Sequence, residues 1–136
     1  MFSQILLRVI TCIINPKRFV LRTQWLEIKK GFKMTYTVTE YCDKCKYTDC
    51  VEVCPVEAFH EGPEMLYINP ETCIDCNACV EECPVEAIYA DVDVPEKWEH
   101  YTALNAEKCD EYPVILESKD PLPTARTLDE IQATEG

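Results

Sequence analysis

Apolar residues recur along this 136-residue chain in short clusters separated by proline, glycine and acidic residues, and none of these runs reaches the roughly 18 to 20 residues that a membrane span needs. Thr35-Tyr36-Thr37-Val38-Thr39 is rich in the β-branched and aromatic types that suit a pleated strand. Ala58-Phe59-His60 and Met65-Leu66-Tyr67-Ile68-Asn69 are two further β-prone runs, and Glu61-Gly62-Pro63-Glu64 between them predicts the turn of a hairpin. After Pro95, which a first helical turn tolerates, Trp98, Tyr101, Leu104 and Asn105 follow at helical spacing and predict one amphipathic helix covering the core. Val114-Ile115-Leu116 can pair as a strand or lie as extended chain, and Asp120-Pro121-Leu122-Pro123 forbids regular helix. The last dozen residues are expected to wrap or fray.

One pattern is repeated. Cys54-Pro55-Val56-Glu57-Ala58-Phe59 returns as Cys83-Pro84-Val85-Glu86-Ala87-Ile88, each copy preceded by several cysteines. A short helical turn and then a strand start are expected after each Cys-Pro, giving two related halves packed face to face with two equivalent sites.

Charge divides the chain differently. Residues 1–33 hold seven Lys or Arg and one acid, a net +6, so residues 34–136 carry −18 of the total −12. An acidic body repels phosphate backbones, which argues against generic nucleic-acid binding and for neutral or basic partners. The front segment mixes Ile5-Leu6-Leu7 and Ile13-Ile14 with Arg8 and a basic stretch ending at Lys33, too short and too charged to span a bilayer. It reads as upstream translated sequence with Met34 as the native start, the favoured expectation, or as a targeting or membrane-surface segment, or as a docking arm.

The ten cysteines carry the chemistry. Cys73-Ile74-Asp75-Cys76-Asn77-Ala78-Cys79-Val80-Glu81-Glu82-Cys83-Pro84 has the C-x2-C-x2-C-x3-C-P spacing of an iron–sulfur run. Two intervening residues let a loop curl around a cuboidal cluster and aim three thiolates at three iron corners. The fourth cysteine, beyond a helical turn and before proline, is carried toward the other half's cluster. In the first half, Cys42-Asp43-Lys44-Cys45-Lys46-Tyr47-Thr48-Asp49-Cys50-Val51-Glu52-Val53-Cys54-Pro55 has four residues between its second and third cysteines. The longer loop permits a cluster that lacks a fourth protein ligand and persists as a three-iron fragment; which cysteine is displaced, spacing leaves open. A disulfide scaffold lacks a clean signal peptide, and zinc does not call for a triple-cysteine loop before Cys-Pro twice over. His60 and His100 read as surface or packing residues rather than partners of a cysteine nucleophile.

On Tyr41 through Glu57, Glu61-Gly62-Pro63, Cys73-Ile74-Asp75-Cys76 and Lys119-Asp120-Pro121-Leu122-Pro123, the sequence resembles the seven-iron bacterial ferredoxins, in particular the Azotobacter-type branch with a long C-terminal extension. The resemblance runs from Met34 to about Arg126 and excludes residues 1–33. It implies an α+β dicluster ferredoxin fold, with a core over 34–90 and an extension over 91–136 that packs on it. Carried over residue by residue, it implies a 3Fe-4S cluster on Cys42, Cys50 and Cys83 and a 4Fe-4S cluster on Cys73, Cys76, Cys79 and Cys54. Cys45 is then unligated, and Cys109 and Cys12 fall outside the motifs. Where some relatives carry a free cysteine after Val56-Glu57, this chain has Ala58, so chemistry needing that thiol is ruled out.

Two clusters, two histidines and no nucleotide loop point to a soluble, cytoplasmic, monomeric carrier of single electrons rather than an enzyme. Its expected partners are reductases and oxidoreductases with basic docking faces. The alternatives are a relay subunit tethered to a larger enzyme or a membrane by residues 1–33, and a redox-sensing module using the labile three-iron cluster. Asp49, next to Cys50, reads either as a solvated surface carboxylate or as the group that takes up a proton when the three-iron cluster is reduced. Tyr47, Phe59, Tyr67, Ile74, Ile88 and Tyr89 form an apolar surround that sets dielectric and solvent access.

Overall fold

The computed structural model describes residues 33–135. The expectations for residues 1–32, including that for Cys12, lie outside them. Two small antiparallel sheets organise the body. Strand β1 (Tyr36–Val38) pairs with β4 (Ile88–Ala90), Thr37 opposite Tyr89, so the first strand of one half closes on the last strand of the other. Strands β2 (Phe59–Glu61) and β3 (Leu66–Ile68) form the predicted hairpin, His60 opposite Tyr67. At its turn the Gly62 N–H donates to the Met65 carbonyl at 3.0 Å. A Cβ on Gly62 would lie 2.6 Å from the Tyr67 ring, so only glycine lets that ring close over the turn.

The helical turns stand before each Cys-Pro, not after it. Helices α1 (Asp49–Glu52) and α2 (Ala78–Glu81) each make one turn and deliver Cys54 and Cys83 just beyond their ends. After each Cys-Pro the chain bends instead through Glu57 and Glu86, which have φ of 54° and 51°. A left-handed residue following proline cannot continue a right-handed helix, which is why the helical expectation fails there. The repeat is otherwise faithful: the Ala58 N–H donates to Cys54 Sγ at 3.4 Å, and the Ala87 N–H to Cys83 Sγ at 3.3 Å.

The expected C-terminal helix splits in two. Trp98 sits in a 3-10 turn over Glu96–Trp98, and helix α3 runs over His100–Glu111. Trp98 is buried and donates Nε1–H to Glu40 at 2.8 Å, while Asn105 and Cys109 form the buried side of α3 with Tyr101 and Leu104 against the core. Asn105 staples the two sheets together. Its Oδ1 accepts from the Val38 N–H (3.1 Å) and the Ile68 N–H (2.9 Å), and its Nδ2 donates to the Val38 carbonyl (2.9 Å). Val114-Ile115-Leu116 resolves toward pairing: Val114 bridges His60 antiparallel, and the Ile115 N–H donates to Phe59 O at 3.0 Å.

The last dozen residues wrap but do not fray. Helix α4 (Leu128–Thr134) starts at a complete capping box, Thr127 with Glu130, and buries Ile131. Its far end is tied by Glu135 to the Tyr41 hydroxyl and to Lys97 Nζ at 2.9 Å. Among the described residues no helix is long and apolar enough to cross a membrane.

Candidate metal centre

Nine of the ten cysteines lie among the described residues, all of them as free thiols. They assemble into two groups, each drawing on both halves of the repeat. In one, Cys42 ends the 3-10 turn Glu40–Cys42, Cys50 lies in α1, and Cys83 arrives from beyond α2. The Cys42 thiol is pushed up to about 12, chiefly by burial, against N–H donation from Leu66 and Lys46 and with smaller contributions from the charges of Cys83 and Cys45. Burial also pushes Cys50 far up, with Cys42, Cys83 and Cys79 as the next causes. Cys83 is raised chiefly by burial, opposed by the backbone N–H groups of Ala87, Val85 and Glu86, and raised a little by Asp49.

In the other group, Cys54 from the first half lines one small cavity with Cys73, Cys76 and Cys79, walled by Phe59 and Ile68. Burial pushes Cys79 up to about 12, followed by the charges of Cys73, Cys76 and Cys54. Cys76 is exposed, and Ile74 beside it is 55% exposed, so this group lies nearest the surface.

Several of these thiols are held in low dielectric, and their mutual repulsion disfavours thiolate. A polycationic centre inverts that balance, and backbone N–H groups already aimed at Cys42, Cys54 and Cys83 suit sulfurs carrying negative charge. No three His, Cys, Asp or Glu side chains among the described residues have the spacing of a single-ion site. Cys54, Cys73, Cys76 and Cys79 line a small volume rather than a point, and an all-sulfur donor set is soft, as iron–sulfur chemistry requires.

The remaining sequence candidates fall outside both rings. Asp49 is exposed on the first turn of α1. His60 Nδ1 contacts the Tyr112 carbonyl at 2.7 Å, a packing role, and His100 lies against the Tyr101 ring with centroids 4.4 Å apart. Cys109 is buried in α3, and burial pushes its thiol up to about 12. So little of it is thiolate at pH 8 that iodoacetamide is expected to leave Cys109 unmodified in the native protein, becoming reactive only on unfolding; rapid native labelling, read by peptide mass spectrometry, would contradict this placement. Sequence reasoning missed the part played by the tail around Cys45, although Thr127-Leu128-Asp129-Glu130 carries a readable capping-box signature.

A family profile for the 4Fe-4S binding domain, Fer4, matches residues 66–89, which hold Cys73, Cys76, Cys79 and Cys83. The chain is 50% identical over 74 residues to a protein named Ferredoxin 7Fe from Hydrogenibacillus schlegelii, covering 54% of this chain and 95% of that one. It is 49% identical over 73 residues to a ferredoxin of Mycolicibacterium smegmatis, covering 54% of this chain and 69% of the relative. Over 78 residues it is 49% identical to a ferredoxin of Saccharopolyspora erythraea, 57% and 74% of the two chains. With its cysteine-lined cavity and this degree of identity across most of each relative, the chain belongs to the ferredoxins, iron–sulfur proteins that carry electrons.

Proposed function

We propose that the chain is a seven-iron carrier, passing single electrons through a 3Fe-4S cluster on Cys42, Cys50 and Cys83 and a 4Fe-4S cluster on Cys54, Cys73, Cys76 and Cys79. When bound, the clusters supply the redox chemistry; the protein supplies thiolates, N–H donors and a dry surround. The observation that carries this reading is the cavity that Cys54, from the first half, shares with Cys73, Cys76 and Cys79 of the second. The four-residue gap before Cys50 and the name of the Hydrogenibacillus relative support the three-iron half. Iron and sulfide content with EPR before and after dithionite tests it. About seven irons per chain and a three-iron signal in the oxidised protein are expected; about eight irons with no oxidised signal would refute it.

Partners follow from charge. Among the described residues Lys46, Lys97, Lys108 and Lys119 are taken up in ion pairs, two of them with Glu61, and residues 34–136 carry a net −18, so the acids dominate the surface field. An open groove beside Cys83 is lined by Glu81, Glu86 and Asp93 together with Tyr36 and Tyr89. It offers a basic reductase or oxidoreductase a docking face close to one cluster. The rate of electron transfer to such a partner is expected to fall at least tenfold between low and about 0.5 M salt, as screened steering does, and a rate insensitive to salt in stopped-flow measurements would remove that face from consideration. The proposed location is a reducing compartment, the cytoplasm, where thiolates and sulfide persist.

Asp49 acts on Cys83 from an exposed position on α1. As the proton acceptor that accompanies reduction of the three-iron cluster, it makes that potential fall as pH rises. Asp49→Asn is then expected to flatten the slope in protein-film voltammetry; an unchanged slope assigns the proton to water or another group.

A further inference from the structure

We infer that the C-terminal tail fixes the nuclearity of the first cluster by holding the Cys45 sulfur out of ligation. The inference rests on the two-cluster reading above, and it begins from a comparison between the two loops. Cys45 and Cys76 are the middle cysteines of equivalent C-x2-C starts. Both are flanked by left-handed residues, Lys44 and Lys46 at φ of 62° and 45°, Asp75 and Asn77 at 58° and 64°. The backbone therefore presents the two middle cysteines alike. Their sulfurs nevertheless differ in fate, for Cys76 is exposed and shares a cavity with Cys54, Cys73 and Cys79, whereas Cys45 is 0% exposed.

What covers Cys45 is the tail. The Arg126 N–H donates to Cys45 Sγ at 3.4 Å, and the thiol lies 3.9 Å from the Arg126 carbonyl as a weak donor. The Leu122 N–H donates to the Cys45 carbonyl at 3.1 Å, and the Thr124 hydroxyl donates to the Lys44 carbonyl at 2.5 Å. Tyr47 OH reaches the Arg126 carbonyl at 3.3 Å, and Thr48 both donates to and accepts from Lys119, each at 2.6 Å. This segment is clamped from its far side by α4, whose Ile131 is buried and whose end is tied to Tyr41 and Lys97. The Cys45 N–H donates to the Cys42 carbonyl at 3.1 Å, so the withheld residue sits directly beside a proposed ligand and not remote from it.

Arg126 and Ile131 are positioning residues in this scheme. With the tail released, Cys45 loses its thiol proton to water and bonds one added Fe2+ through sulfur. The step adds one iron and changes no electron count when the three-iron cluster is already reduced, so Fe2+ and dithionite are the co-reactants.

The test uses the full chain, anaerobically loaded, carrying Ile131→Glu to unseat α4, treated with Fe2+ and dithionite, reoxidised, and compared with the unaltered chain under the same treatment. Iron per chain is expected to rise from about seven toward eight, the oxidised three-iron EPR signal to fall by more than half, and Cys45→Ala in the same background to restore both. Seven irons with an undiminished signal in the released variant overturn the tail's role while leaving the seven-iron reading intact. Eight irons in the untreated, unaltered chain overturn that reading and the inference with it. Should Ile131→Glu fail to hold its clusters, Arg126→Pro, which removes the N–H aimed at the sulfur while leaving α4 in place, gives the same two outcomes.

Discussion

Asn105→Ala is expected to lower the stability of the loaded protein by about 3–5 kcal/mol, more than any single surface change in the chain. The side chain is 2% exposed and satisfies three backbone groups that nothing else reaches: the Val38 and Ile68 N–H groups through Oδ1, and the Val38 carbonyl through Nδ2. Those groups face away from each strand's own partner, because Val38 sits in the β1–β4 ladder and Ile68 in the β2–β3 ladder. Each is therefore an edge group of a two-stranded sheet, and Asn105 joins the two edges where a third strand would otherwise be needed. Each orphaned group costs about 1–3 kcal/mol once buried without water. Asn105→Leu, close in volume, is expected to be nearly as damaging, since filling the space does not supply the hydrogen bonds. Asn105→Asp should be worse, because a carboxylate would face the Val38 carbonyl it can no longer donate to. The measurement is the half-life of cluster absorbance in guanidinium under anaerobic conditions, chosen because loss of iron makes unfolding irreversible. A half-life for Asn105→Ala within a factor of about five of the native one, under 1 kcal/mol, would falsify the staple.

How much of this was legible in the chain depends on whether the determinant was local. The cysteine spacing is a local code, and the placement of Cys54 with Cys73, Cys76 and Cys79 agrees with what Cys-Pro followed by a change of direction suggests. The hairpin was legible because Gly62-Pro63 interrupts two β-prone runs. Asn105 was counted among the core-facing positions of a helix, but its two strands lie 67 and 37 residues away in sequence, and no period announces a polar staple. The left-handed Glu57 and Glu86 were hidden for a different reason: glutamate is an ordinary helix former, and tertiary closure around the rings overrides that preference. For the tail, the sequence leaves wrapping and fraying both open, because Pro121 and Pro123 dominate its start; what decides for wrapping is the capping box and the single buried Ile131 beyond them.

Removal of the clusters is expected to collapse the body altogether. Its four strands are three residues each, in two sheets of two strands, lengths at which isolated sheets are marginal in water. Much of the buried interior is thiol: Cys42, Cys45, Cys50, Cys73, Cys79 and Cys109 are all among its buried residues. Without a cluster, the cavity lined by Cys54, Cys73, Cys76 and Cys79 stands empty where the packing should be densest, and on the proposed ligand sets the halves also lose the crossed ligation through Cys54 and Cys83. For structural zinc, metal binding supplies about 10–16 kcal/mol of apparent folding free energy, and iron–sulfur ligation in a body this small is expected to supply a comparable amount. Anaerobic chelation at neutral pH with a thiol reductant present should therefore abolish the near-UV circular dichroism of Trp98 and its surrounding tyrosines and leave an unfolded chain. Helix α3, at twelve residues, is too short to persist alone in water and should melt with the rest. A chelated protein that kept its near-UV signal and a cooperative thermal transition would mean that Asn105, the tail and the apolar residues suffice to hold the rings open, and that the clusters are guests in a preformed fold.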